Sequence, residues 1–396
     1  LKDLSIYFSP VDEPSETLAK SSVAGTIGSQ IETHFKSFPE IEAKSLVFIF
    51  VNDVRGGTDG QSNLKSIHKA IRRDLYRLFF PQIPFKIYDL GTIQAGDTIQ
   101  DTHFAVRDTC SELIKHNTIP VLIGGSEDIA FANYLAYQKL EQTLNVLAID
   151  RKIDMEGISE EEEMPVNQDN YLTRIILHQP ATLFNLTVMG TQSYFVNPEI
   201  KELMEKLYFD IRRLGEAQAD ITANEPVIRS ADMVSVDMSV LRRSDFAACA
   251  TISPNGFYGE ELCRLVRYAG MSDKMTSIGF YNFSGSEDDV SQSSMLFAQV
   301  LFYFMEGVAG RKRDYPMTNK SEYIKYTVLL DQDKYELVFY KSPKSDRWWM
   351  EVPYPPENKI RFQRHLMIPC TYTDYQMALQ NEMPDLWWRT YQKLVL

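Results

Sequence analysis

The amino-acid sequence predicts an α/β fold with three layers, αβα. At its centre is a mostly parallel sheet of about seven or eight strands, and a small β-containing appendage follows at the C-terminal end. Three observations predict it. Between residues 45 and 306, short apolar runs alternate with longer helical patterns. The runs are largely continuous instead of alternating with polar residues, as strands covered by helices on both faces must be. After Gly310 the pattern changes to β-rich segments around a turn sequence.

Strands are expected at residues 45–51, 85–88, 119–123, 145–149, 182–189, 233–236 and 276–280. Crossover helices between and after them are expected at 63–79, 97–116, 129–140, 169–178, 198–214, 259–269 and 290–306, each long enough to return the chain for a parallel pairing. These form one domain over residues 1–310. In the appendage, 311–396, strands at 323–330 and 335–341 flank Asp331-Gln332-Asp333-Lys334, a hairpin signal, and 348–352 offers a third. The Pro353–Pro356 stretch then leads to an aromatic tail whose Trp387-Trp388 pair echoes Trp348-Trp349. The tryptophans are expected to fasten the appendage to the main domain. Glu160-Glu161-Glu162-Glu163 reads as a solvated loop.

Composition narrows the function. The 396 residues carry 41 Lys+Arg against 54 Asp+Glu, a net charge of −13, which argues against a general nucleic-acid binder. With 44% apolar residues the chain is not disordered. Cys110, Cys249, Cys263 and Cys370 have no metal-finger spacing and read as buried free thiols. No apolar run is long enough to span a membrane, and the first residues, with Asp3, Asp12 and Glu13, lack the apolar stretch of a secretory signal. A cytoplasmic protein is expected.

In an open parallel sheet the ligand crevice lies beyond the carboxyl ends of the strands. There the sequence places Gly124-Gly125-Ser126-Glu127-Asp128, Asp150-Arg151-Lys152-Ile153-Asp154, Asp237-Met238-Ser239 and Tyr281-Asn282-Phe283-Ser284. Glu127, Asp128, Asp150, Asp154 and Asp237 are thereby directed to one edge, where carboxylates so crowded need a cation among them. Lys152, two residues from both Asp150 and Asp154, is the candidate. A plainer role is also open, with Ser126 or Asp128 simply capping the next helix. Gly56-Gly57-Thr58-Asp59-Gly60 fits no nucleotide-binding motif and reads as a loop, no nucleophile elbow is present, and His103 and His116 read as packing or surface residues on one helix.

These strand-end segments resemble the ureohydrolase superfamily of arginases, agmatinases and formimidoylglutamases, bacterial formimidoylglutamases being nearest. That family holds two Mn²⁺ ions at the motifs GGDHS, DAHxD and SxDxDxxDP, which are similar, in order, to 124–128, 150–154 and 235–239 here. Residues 53–78 resemble the segment leading into the family's first helix. Ser253-Pro254-Asn255-Gly256-Phe257 resembles its later PxPGGL-type loop. The likeness covers roughly residues 40–306 and leaves the tail without a counterpart. Carried over position by position, it implies the metal ligands Asp150, Asp154 and Asp237, with Glu127 in place of one His, Lys152 in place of another and Ser239 in place of an Asp. Asn282 stands where the family has an acidic residue that holds the substrate's cationic group. The resemblance therefore implies a degraded binuclear site with no catalytic residue and no bound cofactor. The Lys152 ammonium would replace a metal's charge by pairing with Asp150, Asp154 or Asp237, and the protein would work by binding a small molecule in the old crevice or a partner. The alternative is a hydrolase of linear C–N bonds with a carboxylate-only manganese or magnesium site. Family members commonly form trimers or hexamers, so a homo-oligomer is expected. A third, weaker reading is an interaction or assembly subunit whose function lies wholly in residues 311–396.

Overall fold

The computed structural model describes residues 3–57, 64–140, 143–157, 165–249, 251–316, 320–330, 335–353 and 363–395. The glutamate run at 160–163, Thr58–Gly60 of the glycine-rich loop, the turn at 331–334 and residues 354–356 lie outside these. Ten strands form the main sheet: β1 (Phe8–Ser9), β2 (Ile31–Thr33), β3 (Leu46–Asn52), β4 (Ile87–Gln94), β5 (Ile119–Ile123), β6 (Leu144–Ile149), β7 (Leu183–Thr191), β8 (Asp210–Arg213), β9 (Met233–Asp237) and β10 (Ser277–Tyr281). Their order is β1-β4-β3-β5-β10-β9-β6-β7-β8, with β2 also on β4. Every pairing is parallel except that of β1 with β4.

All seven expected strands are present, and three short ones bring the sheet to ten. The three additions, β1, β2 and β8, are short, partly polar and lie at or near the sheet edges, so they carry no continuous apolar run. β8 emerges from the stretch expected to finish the helix 198–214. That helix stops at Lys206 because Tyr208 turns left-handed (φ 57°) and Phe209 N–H closes on Met204 O at 2.8 Å. β4 runs on past 88 because its buried Asp89 is fully paired, with Arg72 Nε at 2.7 Å, Tyr76 OH at 2.7 Å and Gly91 N at 2.9 Å.

Strand residues alternate between two cores. Phe48, Phe50, Val121, Ile149, Val234 and Phe280 pack on one face against helices Leu64–Arg77, Gly259–Met271 and Glu287–Ala309. Val47, Ile49, Leu122, Val146, Ala148 and Val188 pack on the other against Ile99–Lys115, Ile129–Gln138, Tyr171–Leu177 and Pro198–Lys206. The continuous apolar runs follow from this double cover.

A separate four-stranded antiparallel sheet follows: β11 (Ile324–Leu330), β12 (Tyr335–Lys341), β13 (Trp348–Glu351) and β14 (Met367–Cys370), in that order. β14 was not expected. Its Pro369 argues against a strand, and β14 carries it because it lies on the sheet edge. Helices Tyr372–Leu379 and Asp385–Val395 complete this part. The tryptophans divide their work. Trp348 clusters with Tyr326 and Tyr375, its ring centroid 5.1 Å from each, and Trp387 donates to Glu351 O at 3.0 Å, so both serve the appendage's own core. Trp349 fastens the two parts through its ring, with the Arg229 guanidinium 4.4 Å from the centroid, and Trp348 O accepts from Arg229 at 3.2 Å, while Trp388 is 39% exposed. Arg364 adds an ion pair to Asp232 at 2.7 Å, and His365 stacks on Phe184 at 3.9 Å.

Two outcomes follow for stability. Asp89→Ala strands a buried Arg72 and should lower the unfolding free energy by about 3–5 kcal/mol in urea denaturation; a loss under about 1 kcal/mol would show that Arg72 is not held by Asp89. Burial, reinforced by Lys274 and Arg364, holds His365 well below its ordinary 6.5. The unfolded chain therefore takes up a proton that the folded one refuses, so this contribution is intact above about pH 6.5 and is lost as pH falls, by about 1.4 kcal/mol per unit. His365→Gln should remove that increment from the acid limb of the stability curve; an unchanged slope would contradict it.

Candidate metal centre

The turn after β5 sets the geometry. Gly124 and Gly125 both have positive φ (93° and 77°). A Cβ on the first would come within 2.5 Å of His68 Nε2, and one on the second within 2.8 Å of Asp53 O. The backbone of this turn is tied to its neighbours by Ser126 N to Asp53 O (3.1 Å) and Asn282 N to Gly125 O (2.9 Å). Glu127 is thereby directed inward, level with the residues that follow β6 and β9.

Glu127, Asp150 and Asp154 are buried and each offers one carboxylate oxygen, all within 4.8 Å of one another. Glu127 Oε1 accepts from Tyr171 OH (2.9 Å) and Ser235 OH (3.0 Å), but Oε2 has no hydrogen-bond partner. Asp150 Oδ1 accepts from Arg151 N–H (2.5 Å), but Oδ2 has none. Burial first, then Asp237 and Asp154, raises the Glu127 carboxyl well above its ordinary 4.5. Burial and its acidic neighbours likewise raise Asp150 well above 3.8. Negative charge here is undercompensated.

Lys152 Nζ lies 2.7 Å from Asp154 Oδ1, a charge contact that is not aligned as a hydrogen bond, and it donates to Asp169 Oδ1. Of the three partners expected for it, Asp154 is the one engaged, and Asp169, from the lead into helix Tyr171–Leu177, was not foreseen. Burial pulls the ammonium's pKa down, yet the two carboxylates outweigh burial and raise it, so Lys152 is a fixed cation. Arg151 is a second cation that sequence reasoning passed over. It is buried, stacks 4.6 Å from the Phe195 ring centroid and donates through Nε to Ser239 Oγ at 3.1 Å. Asp237 is buried at the same edge with both oxygens in use, Oδ1 by Ser239 N–H (2.7 Å) and Oδ2 by Asn282 Nδ2 (3.0 Å). Asn282, left-handed at φ 65°, also accepts from Glu127 N–H at 3.1 Å.

Asp128 does not join the cluster. It turns away to His103 Nε2 (2.6 Å) and accepts from Ser126 OH (2.5 Å), which corrects the reading of five carboxylates at one edge. His103 is thus buried support for the turn and not a surface residue. Neither Ser126 nor Asp128 caps the following helix with its side chain.

Among the described residues one group of donors could hold a divalent cation. Glu127, Asp150 and Asp154 bring unpartnered or charge-only oxygens to one point, an all-oxygen set suited to Mg²⁺ or Mn²⁺. A second ion would have to displace the Lys152 ammonium, which has no lone pair to offer, and find ligands where Ser239 and Asn282 already hold Asp237.

A family model described as the Arginase family matches residues 55–306, more than half of the chain. Formimidoylglutamase of Bacillus subtilis (strain 168) is 24% identical over 234 residues, covering 56% of this chain and 72% of that protein. Among solved structures, Trypanosoma cruzi formiminoglutamase with Mn²⁺ superposes with a TM-score of 0.61 at 16% identity, covering 68% of this chain and 94% of that one. The B. subtilis formimidoylglutamase structure gives 0.62 at 19%, covering 72% and 91%. At these identities the structural likeness is one of fold. The kinship read from the strand-end motifs stands.

If Lys152 supplies the compensating charge, Lys152→Met should destabilise the metal-free protein by about 3–5 kcal/mol, with a divalent cation recovering most of the loss in a thermal melt. A variant as stable as the parent in chelator would show that the ammonium carries no part of the compensation.

Proposed function

This chain belongs to the arginase family, and on that premise we propose that it is a ureohydrolase relative with one cation position in place of two. It binds a small ligand in the crevice at the strand ends, or a partner, without hydrolysing it. The observation that carries this reading is the Lys152 ammonium 2.7 Å from Asp154, and the resemblance to the family motifs matches Lys152 with a metal-ligating histidine.

Hydrolysis of a linear amidine needs an activated water. A divalent cation held by Glu127, Asp150 and Asp154 would lower the pKa of water bound to it. The chain's own residues give such a reaction little help. His103 is bonded to Asp128, and His68 is buried beneath the Gly124 turn with its pKa well below 6.5, so neither is placed as a general base for the crevice. Arg151, bonded to Ser239, and Lys152, against Asp154, bring positive charge to this edge, which opposes a second cation. Asn282, neutral and spent on Asp237, leaves no carboxylate there for a cationic substrate. The four cysteines are unpaired and buried, which supports a reducing, cytoplasmic setting. No helix among the described residues is long and apolar enough to cross a membrane.

A second reading is favoured by the unpartnered oxygens of Glu127 and Asp150: a single-cation hydrolase of formimidoylglutamate, agmatine or arginine. Calorimetric Mn²⁺ titration with assays for formamide, urea and ammonia separates the two. The first reading predicts no more than one Mn²⁺ per chain and no turnover above the metal-only background; turnover with one bound Mn²⁺ would establish the second. The combined change Lys152→His, Glu127→His and Ser239→Asp should add a second Mn²⁺ and tighten binding by about tenfold or more. No gain would contradict the positional match to the family motifs.

A further inference from the structure

Arg151 stands second in the segment 150–154, where the family motif DAHxD has alanine, so a guanidinium at this point is the chain's own departure. Three contacts fix it. Its carbonyl accepts from Gln192 N–H at 2.8 Å, its Nε donates to Ser239 Oγ at 3.1 Å, and its guanidinium carbon lies 4.6 Å from the centroid of the Phe195 ring. Gln192 and Phe195 follow β7 and Ser239 follows β9, so the side chain is clamped at the carboxyl edge of the sheet with only 8% of the residue exposed.

These contacts leave the end of the side chain unused. Nη1 and Nη2 have no acceptor among the described residues. Nor are they sealed off: Arg229 Nη1 and Arg347 Nη2 are partnerless nitrogens closed to solvent, whereas the terminal nitrogens of Arg151 keep contact with it. The carboxylates nearby are engaged elsewhere. Asp237 gives one oxygen to Ser239 N–H and the other to Asn282 Nδ2, and Lys152 stands against Asp154 and Asp169. A buried guanidinium ordinarily has its donors filled, and here the chain supplies nothing to fill two of them. Nη1 and Nη2 present parallel N–H donors, the geometry that a carboxylate or a phosphate accepts in a bidentate pair. Charge decides between these. Glu127, Asp150, Asp154 and Asp237 are buried at the same edge, so a ligand with one negative charge is opposed much less than a phosphate with nearly two.

We propose that the ligand of the crevice is a small monocarboxylate, received end-on by Nη1 and Nη2 of Arg151. This names the ligand's class and rests on the reading of the crevice as a binding site. Asn282 agrees with it. Where the resemblance to the family implies an acidic residue for a substrate's cationic group, this chain has a neutral amide spent on Asp237, and it has gained a guanidinium suited to an anionic group. Because Ser239, Phe195 and Gln192 already hold Arg151 in place, little side-chain entropy remains to be lost when the carboxylate binds.

Saturation-transfer NMR on the full chain, with and without Mn²⁺ and in a buffer free of carboxylates, tests this with propionate, its neutral amide propionamide, the cation agmatine and inorganic phosphate. Propionate should bind saturably at one site, propionamide at least about tenfold more weakly, and agmatine and phosphate more weakly still. Arg151→Lys keeps the charge and loses the paired N–H donors, so it should weaken propionate by about tenfold or more, both with Mn²⁺ and without it. If that variant does not fold, the comparison of acid with amide on the unaltered chain decides the matter. The count of bound Mn²⁺ and any turnover judge the reading of the cation centre separately, since neither enters this comparison. No saturable propionate signal, equal affinity for acid and amide, agmatine or phosphate binding as tightly as propionate, or unchanged affinity in Arg151→Lys would each overturn the carboxylate site.

Discussion

Three carboxylates, those of Glu127, Asp150 and Asp154, are buried within 4.8 Å of one another, and the rest of the site is arranged around the need to compensate them. Burying an ionised carboxylate costs several kcal/mol unless charge or hydrogen bonds repay it. The fold meets that need in parts. Tyr171 and Ser235 satisfy one oxygen of Glu127, Arg151 N–H satisfies one of Asp150, and the Lys152 ammonium stands against Asp154. What is left over has the character of one cation's coordination sphere. In the proposed reading a second cation is opposed, because Lys152 and Asn282 already engage Asp154 and Asp237.

Much of this was legible in the sequence, for physical reasons. Continuous apolar runs mark strands covered on both faces, and in a parallel sheet the residues just after such runs must share one edge. Glu127, Asp150, Asp154 and Asp237 could therefore be grouped before any coordinates. The partner groups were not legible. Asp169 reaches Lys152 across a loop, Arg151 reaches Ser239 between strands, and His103 reaches Asp128 from a neighbouring helix, and none of these pairings leaves a periodic trace. The short strands β1, β2 and β8 escaped for the related reason that edge strands need no apolar run. Asp89 hid the true extent of β4, since a charge inside a strand reads as a break until Arg72 and Tyr76 are seen beside it.

The appendage obeys a different balance. Its own core is aromatic, with Trp348 and Trp387 turned inward and Phe184 of the main sheet packed against it, while ion pairs from Arg347, Arg364 and Arg389 and the contacts of Arg229 with Trp348 O and the Trp349 ring join it to the main part. Positive charge thus collects at one end of the sheet and negative charge at the other, with the apolar body of the strands between them.

The central claim is that the strand-end centre holds one cation and that Lys152 stands in for the other. Anomalous diffraction from crystals grown with excess Mn²⁺ tests it most directly. The account predicts a single anomalous peak among Glu127, Asp150 and Asp154, with the Lys152 side chain still on Asp154. Two peaks, with Lys152 swung out to solvent, would contradict it.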